Sequence, residues 1–143
     1  MTARGRNDAD YCFVCGPENP HGLQIKFQLE NGACRGEFTP QREHAGFDSV
    51  THGGILFSIL DDAMANWLYL QGARGFTAKC EIRYRQPVPV GTPLKLEATL
   101  KLRKRRLCVL TSQATRCDTN TVVADAEASF MLDDFGTLSE HPE

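Results

Sequence analysis

Residues 50–70 read VTHGGILFSILDDAMANWLYL, and from Ile55 to Leu70 nearly every position is apolar, as in a helix covered on all sides. Two adjacent aspartates, Asp61 and Asp62, interrupt that run. A carboxylate in such surroundings is costly unless it is hydrogen-bonded or put to use. The pattern predicts a helix over 53–70, closed by Gly72 and Gly75.

Outward from this helix the periodicity changes from helical to alternating. On the N-terminal side LQIKFQL, 23–29, alternates as a half-buried strand does, Asn31-Gly32 is a two-residue hairpin turn, and ACRGEF, 33–38, supplies a second strand. Residues 39–51 are polar and contain Pro40 and Gly46, so they read as a loop feeding the helix. On the C-terminal side TAKCEIRYRQPV, PLKLEATLKL, LCVLTSQATRC and VVADAEASFML are four strand-like segments, separated by Val90-Gly91, the run Arg103 to Arg106, and Asp118 to Asn120. The order is two strands, one helix, four strands, and a helix this apolar requires an antiparallel sheet to wrap it. The expected class is therefore α+β, one long central helix inside a curled antiparallel sheet of about six strands. That architecture is the hotdog fold. No internal repeat, low-complexity stretch or linker marks a second domain, so residues 1–143 read as one domain with an N-terminal segment at 1–21 and loose tails at 1–10 and 138–143.

A chain of 143 residues buries a modest core, and a deep pocket then calls for a second copy. An oligomer is expected, either a homodimer or a homotetramer built as a dimer of dimers. With 41% hydrophobic and 24% charged residues and a net charge of -2, nothing pulls the protein toward nucleic acid or membrane. The opening MTARGRNDADY has no apolar signal core, and the hydrophobic run at 55–70 is short and broken by Asp61, Asp62 and Asn66. A cytoplasmic location is expected.

Six cysteines in such a chain read as free thiols. Cys34, Cys80, Cys108 and Cys117 fall singly in strand segments, where a small apolar thiol packs well. Cys12 and Cys15 form C-x2-C, a zinc-compatible spacing, but a structural zinc needs four ligands and the close companion in sequence is His21 alone. The favoured reading is a turn in CGPENPHG packed on the body, with no metal and no cofactor.

Helical spacing separates the two aspartates. Asp62 lines up with Ser58, Asn66 and Tyr69 in a polar stripe, whereas Asp61 shares its face with Gly54, Phe57, Met64, Ala65 and Leu68. Asp61 is then either hydrogen-bonded within the subunit or capping a loop, or a base or nucleophile in a partly desolvated pocket, where its pKa is raised. The preceding His52-Gly53-Gly54 places backbone N–H groups and the positive end of the helix dipole at the helix start, suited to a carbonyl oxygen gaining negative charge. Gly53 and Asp61 lie eight residues apart, about 12 Å along a helix, too far to meet on one scissile bond. If both serve one reaction they come from different chains, with two helices antiparallel across a twofold axis.

HGGILFSILDDA resembles the H-G-G segment of hotdog-fold acyl-CoA thioesterases of the phenylacetate-pathway and 4-hydroxybenzoyl-CoA type, with a carboxylate nine residues after the histidine. TAKCEIRYRQPVPVG is similar to that family's strand after the helix, with its Y-x-x-P and following glycine. The resemblance spans roughly residues 22–132. It implies hydrolysis of an acyl-CoA thioester, with Asp61 as nucleophile or general base, the Gly53 amide polarising the carbonyl and His52 shaping the helix start. Thr77 stands where some relatives place a serine or threonine that positions water, in the same chain as Asp61. Gly54, Phe57 and Met64, with Trp67, would line the acyl side, although core packing explains the apolar three equally well. Relatives often carry an asparagine six residues before the histidine, and this chain has Gly46 there. His44, Asp48 and Ser49 are the nearby candidates to replace it. CFVCGPENPHGL looks like the N-terminal segment of one subgroup.

The run Arg103, Lys104, Arg105, Arg106 suits either a docking patch for coenzyme A phosphates or a solvated hairpin tip. Two other activities are compatible with the fold. Hotdog dehydratases typically show an H-F-P-G-like segment, absent here, and non-catalytic thioester-binding or regulatory modules would bind acyl-CoA without turnover.

Overall fold

A computed structural model describes residues 8–133. The expected tails at 1–7 and 138–143 lie outside the described residues, but residues 8–10 of the N-terminal tail form a turn held to the body. There the Tyr69 hydroxyl donates to Asp8 at 3.3 Å and Arg74 pairs with Asp8 at 3.0 Å.

Among the described residues the fold comprises seven elements and one short 3-10 turn at Arg42–His44: β1 (Gln28–Glu30), β2 (Ala33–Phe38), α1 (Gly53–Tyr69), β3 (Gly75–Tyr84), β4 (Leu94–Lys104), β5 (Leu107–Arg116) and β6 (Val122–Leu132). The six strands form one antiparallel sheet in the order β1-β2-β4-β5-β6-β3. α1 packs against β2, β3, β4, β5 and β6, so the sheet curls round the helix as expected. Leu56, Ile59, Leu60, Ala63, Met64, Trp67 and Leu68 form the helix's buried face, the spacing of three and four that keeps side chains on one side. The strands answer with alternating positions such as Leu94, Leu96 and Ala98 of β4, all buried. Two hydrogen bonds fix the helix's height, from Ser112 Oγ to the Leu60 carbonyl at 3.1 Å and from Trp67 Nε1 to the Gly32 carbonyl at 3.0 Å.

The helix is not covered on all sides, contrary to the sequence expectation. A stripe comprising Gly54, Phe57, Ser58, Asp61, Asp62 and Ala65 remains partly or fully exposed in the single chain. The two aspartates sit on this stripe, half-buried and hydrogen-bonded, so neither is enclosed in the apolar core. The helix ends one residue earlier than expected, with Leu70 as its C-cap. Gly72, at φ 89, makes the left-handed turn after it, while Gly75 opens β3 instead of closing the helix.

The first strand is also shorter than its alternation suggested. Residues 23–27 leave the ladder because the Leu23 and Ile25 amides donate to the carbonyls of Phe13 and Val14, at 2.8 and 2.9 Å. The N-terminal segment thus captures a stretch whose pattern promised sheet pairing. Cys117 lies just past β5 in the exposed turn, whereas Cys34, Cys80 and Cys108 are strand residues as read. The basic run forms the β4–β5 hairpin tip, with Arg105 at φ 57 and the Arg103 and Arg106 guanidinium groups donating to the carbonyls of Arg105 and Leu132.

Among the described residues β3 is an edge strand, bonded to β6 on one side only. Its register slips between Thr77 and Lys79, so Ala78 forms a bulge. Phe76, Thr77, Lys79, Glu81, Arg83 and Tyr84 on this edge are exposed. Among the described residues, no helix is long and apolar enough to cross a membrane.

Candidate active site

The start of α1 is organised by His52. As the N-cap, in extended conformation at ψ 133, its Nδ1 accepts the Gly54 N–H at 2.8 Å. The Ile55 and Leu56 amides donate to the His52 carbonyl at 3.0 and 3.3 Å. Of the first-turn amides, Gly53 alone has no acceptor among the described residues. Its carbonyl is engaged, accepting from the Tyr84 hydroxyl at 2.9 Å, which moors the helix start to the end of β3. Tyr84 is the tyrosine of the Y-x-x-P motif, and its tie to Gly53 across 31 residues had no local trace in the sequence beyond that motif.

Gly46 explains itself at this point. A Cβ there would lie 3.3 Å from the His52 Cα, so a side chain at this position presses directly on the capping histidine. Of the three nearby candidates, His44 meets the capping histidine, its carbonyl accepting the His52 amide at 2.9 Å. His44 Nδ1 accepts the Gln41 amide at 2.8 Å and its ring tilts against Phe38, Asp48 sits exposed at φ 50, and the Ser49 carbonyl accepts the Val90 amide.

Two turns along the open stripe lies Asp61. Thr77 Oγ1 donates to Asp61 Oδ1 at 2.9 Å, a contact made by the strand residue at the edge of the bulge. Burial pushes the Asp61 carboxyl above the usual carboxylate range, and the Thr77 hydrogen bond opposes this. The structure therefore brings Asp61 and Thr77 together, and holds His52, Gly53 and Gly54 together at the other end of the stripe. Phe57 lies between the two groups, half-buried. Met64 does not share this open face. It is fully buried against the sheet, one helical step away from Asp61 toward the core.

Asp62 faces a different neighbourhood. Asn66 Nδ2 donates to Asp62 Oδ2 at 2.9 Å, as the polar stripe predicted. The N-terminal segment adds what the sequence did not disclose, because the Cys12 thiol donates to Asp62 Oδ1 at 3.5 Å. His21, the companion suggested by sequence, is exposed and takes no part in this cluster. Burial pushes Asp62 up to about 7, while hydrogen bonding to Cys15 pulls the Cys12 thiol down to about 5.

A central helix wrapped by a curled antiparallel sheet, with a capped histidine-glycine start and a carboxylate on its open stripe, defines a hotdog-fold protein. The thioesterase superfamily model matches residues 48–130, and the chain belongs to that family. Among solved structures, a thioesterase superfamily protein is 28% identical with a TM-score of 0.76, over 82% of this chain and 61% of that one. The present chain thus spans less than two thirds of that relative's length. The PaaI protein from the phenylacetic acid degradation operon of E. coli is 22% identical with a TM-score of 0.74, over 90% of this chain and 92% of that one. A hypothetical thioesterase from Streptococcus pneumoniae TIGR4, crystallised with coenzyme A, is 17% identical with a TM-score of 0.72, over 78% and 90%. None of the curated proteins matches the chain in sequence.

Proposed function

We propose that the protein is an acyl-CoA thioesterase whose residues 1–143 act as one domain, paired with a second copy in a homodimer or a dimer of such dimers. The observation that carries this reading is the half-buried Asp61 carboxylate on the open stripe of α1, oriented by Thr77 at 2.9 Å. Coenzyme A bound to the streptococcal relative supports the same substrate class here.

In this reading the free Gly53 N–H of one chain donates to the thioester carbonyl oxygen as charge develops on it. His52 fixes that donor by occupying the neighbouring Gly54 amide, and Gly54 leaves room for the substrate. Asp61 of the other chain, its Oδ1 held by Thr77, either takes a proton from the attacking water or adds to the carbonyl to form a mixed anhydride that water cleaves. Both routes consume one water and release the free acid and the coenzyme A thiol. Phe57 lines the acyl side, and Met64 backs that wall from within the core. The about 12 Å between Gly53 and Asp61 along one helix supports a site shared between chains. So does the edge of β3 beside Thr77, exposed and without a strand partner among the described residues, since an open sheet edge is a template for pairing with another strand.

Free-thiol release from short, long and aromatic acyl-CoAs tests the proposal. Wild type should turn over at least one class, and Asp61→Asn should lose about 10²- to 10⁴-fold in kcat while still binding the thioester. Full turnover by the folded variant would refute Asp61 as the reacting carboxylate.

A further inference from the structure

Cys12, Cys15 and Asp62 converge although 50 residues separate the thiol of Cys12 from the carboxylate it touches. One ligand-capable atom from each lies within 4.8 Å of the others. The thiols come from a tight turn in which the Cys15 amide approaches Cys12 Sγ at 3.5 Å and the Gly16 amide donates to the Cys12 carbonyl at 2.9 Å. Gly16 permits that turn, since a Cβ there would stand 2.4 Å from the Cys12 nitrogen. Amides directed at a sulfur favour its thiolate form, the form that binds metal.

We infer that Cys12, Cys15 and Asp62 form a zinc-binding site that clips the N-terminal segment to α1.

Three independent features support it. The first is spacing. Tetrahedral bonds of about 2.3 Å to sulfur and about 2.0 Å to oxygen put a ligating sulfur and oxygen about 3.5 Å apart, and Cys12 Sγ and Asp62 Oδ1 are 3.5 Å apart. The second is orientation of the ligands by an outer partner. Asn66, itself buried, donates to Asp62 Oδ2 at 2.9 Å and approaches Cys15 Sγ at 3.5 Å, so one amide steadies two of the three ligands. The third is charge. Among the described residues no lysine or arginine pairs with Asp62, so the cluster gathers a carboxyl group and two thiols with no cation of its own, and without one Cys12, Asp62 and burial hold the Cys15 thiol in its protonated form. A divalent ion supplies that missing charge, and two sulfurs with one carboxylate suit zinc over magnesium or calcium. Asp62 is the ligand that the sequence did not offer beside the two cysteines, and with three side chains the ion would keep an open fourth position for water, unlike a zinc closed by four side chains.

The clip is structural in consequence. Residues 9–27 contain no helix or strand, and the clip would anchor them to the helix at the residue following Asp61. Binding displaces the thiol protons, so uptake releases acid.

The test uses the reduced full-length chain, freed of metal and without a histidine tag, titrated with cobalt(II) and then zinc. Cobalt should bind at one ion per chain with thiolate-to-metal charge-transfer absorption, zinc should displace it, and zinc should protect Cys12 and Cys15 from alkylation in peptide mapping. Asp62→Asn should weaken zinc affinity at least tenfold while keeping the sulfur-to-cobalt absorption. Cys12→Ser with Cys15→Ser should abolish both. Absence of cobalt absorption and of alkylation protection in reduced wild type would overturn the site, without reference to any variant. So would a Cys12–Cys15 disulfide that, once reduced, yields thiols taking up no metal, which would make the pair a redox couple. These readouts do not depend on thioester turnover.

Discussion

Thr77 Oγ1 and Asp61 Oδ1 stand 2.9 Å apart, joining the edge strand β3 to the middle of α1 through one hydrogen bond. That bond both orients the carboxylate and opposes the effect of burial on its protonation. Thr77→Val keeps the side chain's shape and removes the donor. Its expected effect is about a tenfold fall in kcat with little change in KM, the size of one hydrogen bond to a charged acceptor. Steady-state thiol release measures it, and an unchanged kcat would detach Thr77 from Asp61's function.

Gly53→Pro isolates the proposed oxyanion donor. Proline is well tolerated at the first helical position, and His52 already has the extended conformation that proline requires before it. A Cβ at Gly53 meets the Tyr84 ring at 3.4 Å, ordinary contact. The variant should fold and lose about 10²- to 10³-fold in kcat.

Gly53→Pro and Asp61→Asn chains, each impaired alone, should regain up to about half of wild-type activity when mixed into heterodimers. The heterodimer holds one site with both groups intact. Verified heterodimers as inactive as their parents would place both groups of each site in one chain.

Thr51 Oγ1 is buried without a hydrogen-bond partner among the described residues. Thr51→Val exchanges that hydroxyl for a methyl of similar volume and should stabilise the protein by about 1 kcal/mol. Urea denaturation followed by circular dichroism reads the change, and a lower midpoint would mean that the hydroxyl has a use in the fold.

Trp67, 1% exposed, fills the core under the β1–β2 turn and donates to the Gly32 carbonyl at 3.0 Å. Trp67→Phe removes the donor and part of the ring, and should cost roughly 2 kcal/mol of unfolding free energy. A loss below a few tenths in the same denaturation experiment would contradict this role.

Features encoded within a few residues were legible in the sequence, and features encoded by distant contacts were not. Asn31-Gly32 forms the expected hairpin, with φ of 51 and 81, because that turn type demands positive φ at both positions. The long alternating segments became β3 to β6 because period-two burial is a local pattern. The hydrogen bond between Asp62 and Asn66 followed from helical spacing. The Cys12–Asp62 contact had no such signature, since a turn and a helix meet there only after the chain has folded. The same applies to residues 23–27, whose alternation promised a strand until the carbonyls of Phe13 and Val14 claimed their amides. The open stripe of α1 was invisible for the opposite reason, because composition reports how apolar a helix is and not which of its faces the sheet leaves bare.

The cap at His52 also sets what kind of guest the helix start can receive. An uncapped helix end offers several converging amides and holds phosphate or sulfate well. Here the imidazole and the His52 carbonyl occupy three of the first four, leaving one N–H at Gly53. A single donor suits the lone oxygen of a polarised carbonyl and gives a multivalent anion little to grip. Under the proposed function, the capping histidine would make the phosphate groups of a coenzyme and free phosphate in solution poor competitors for the point where a carbonyl docks.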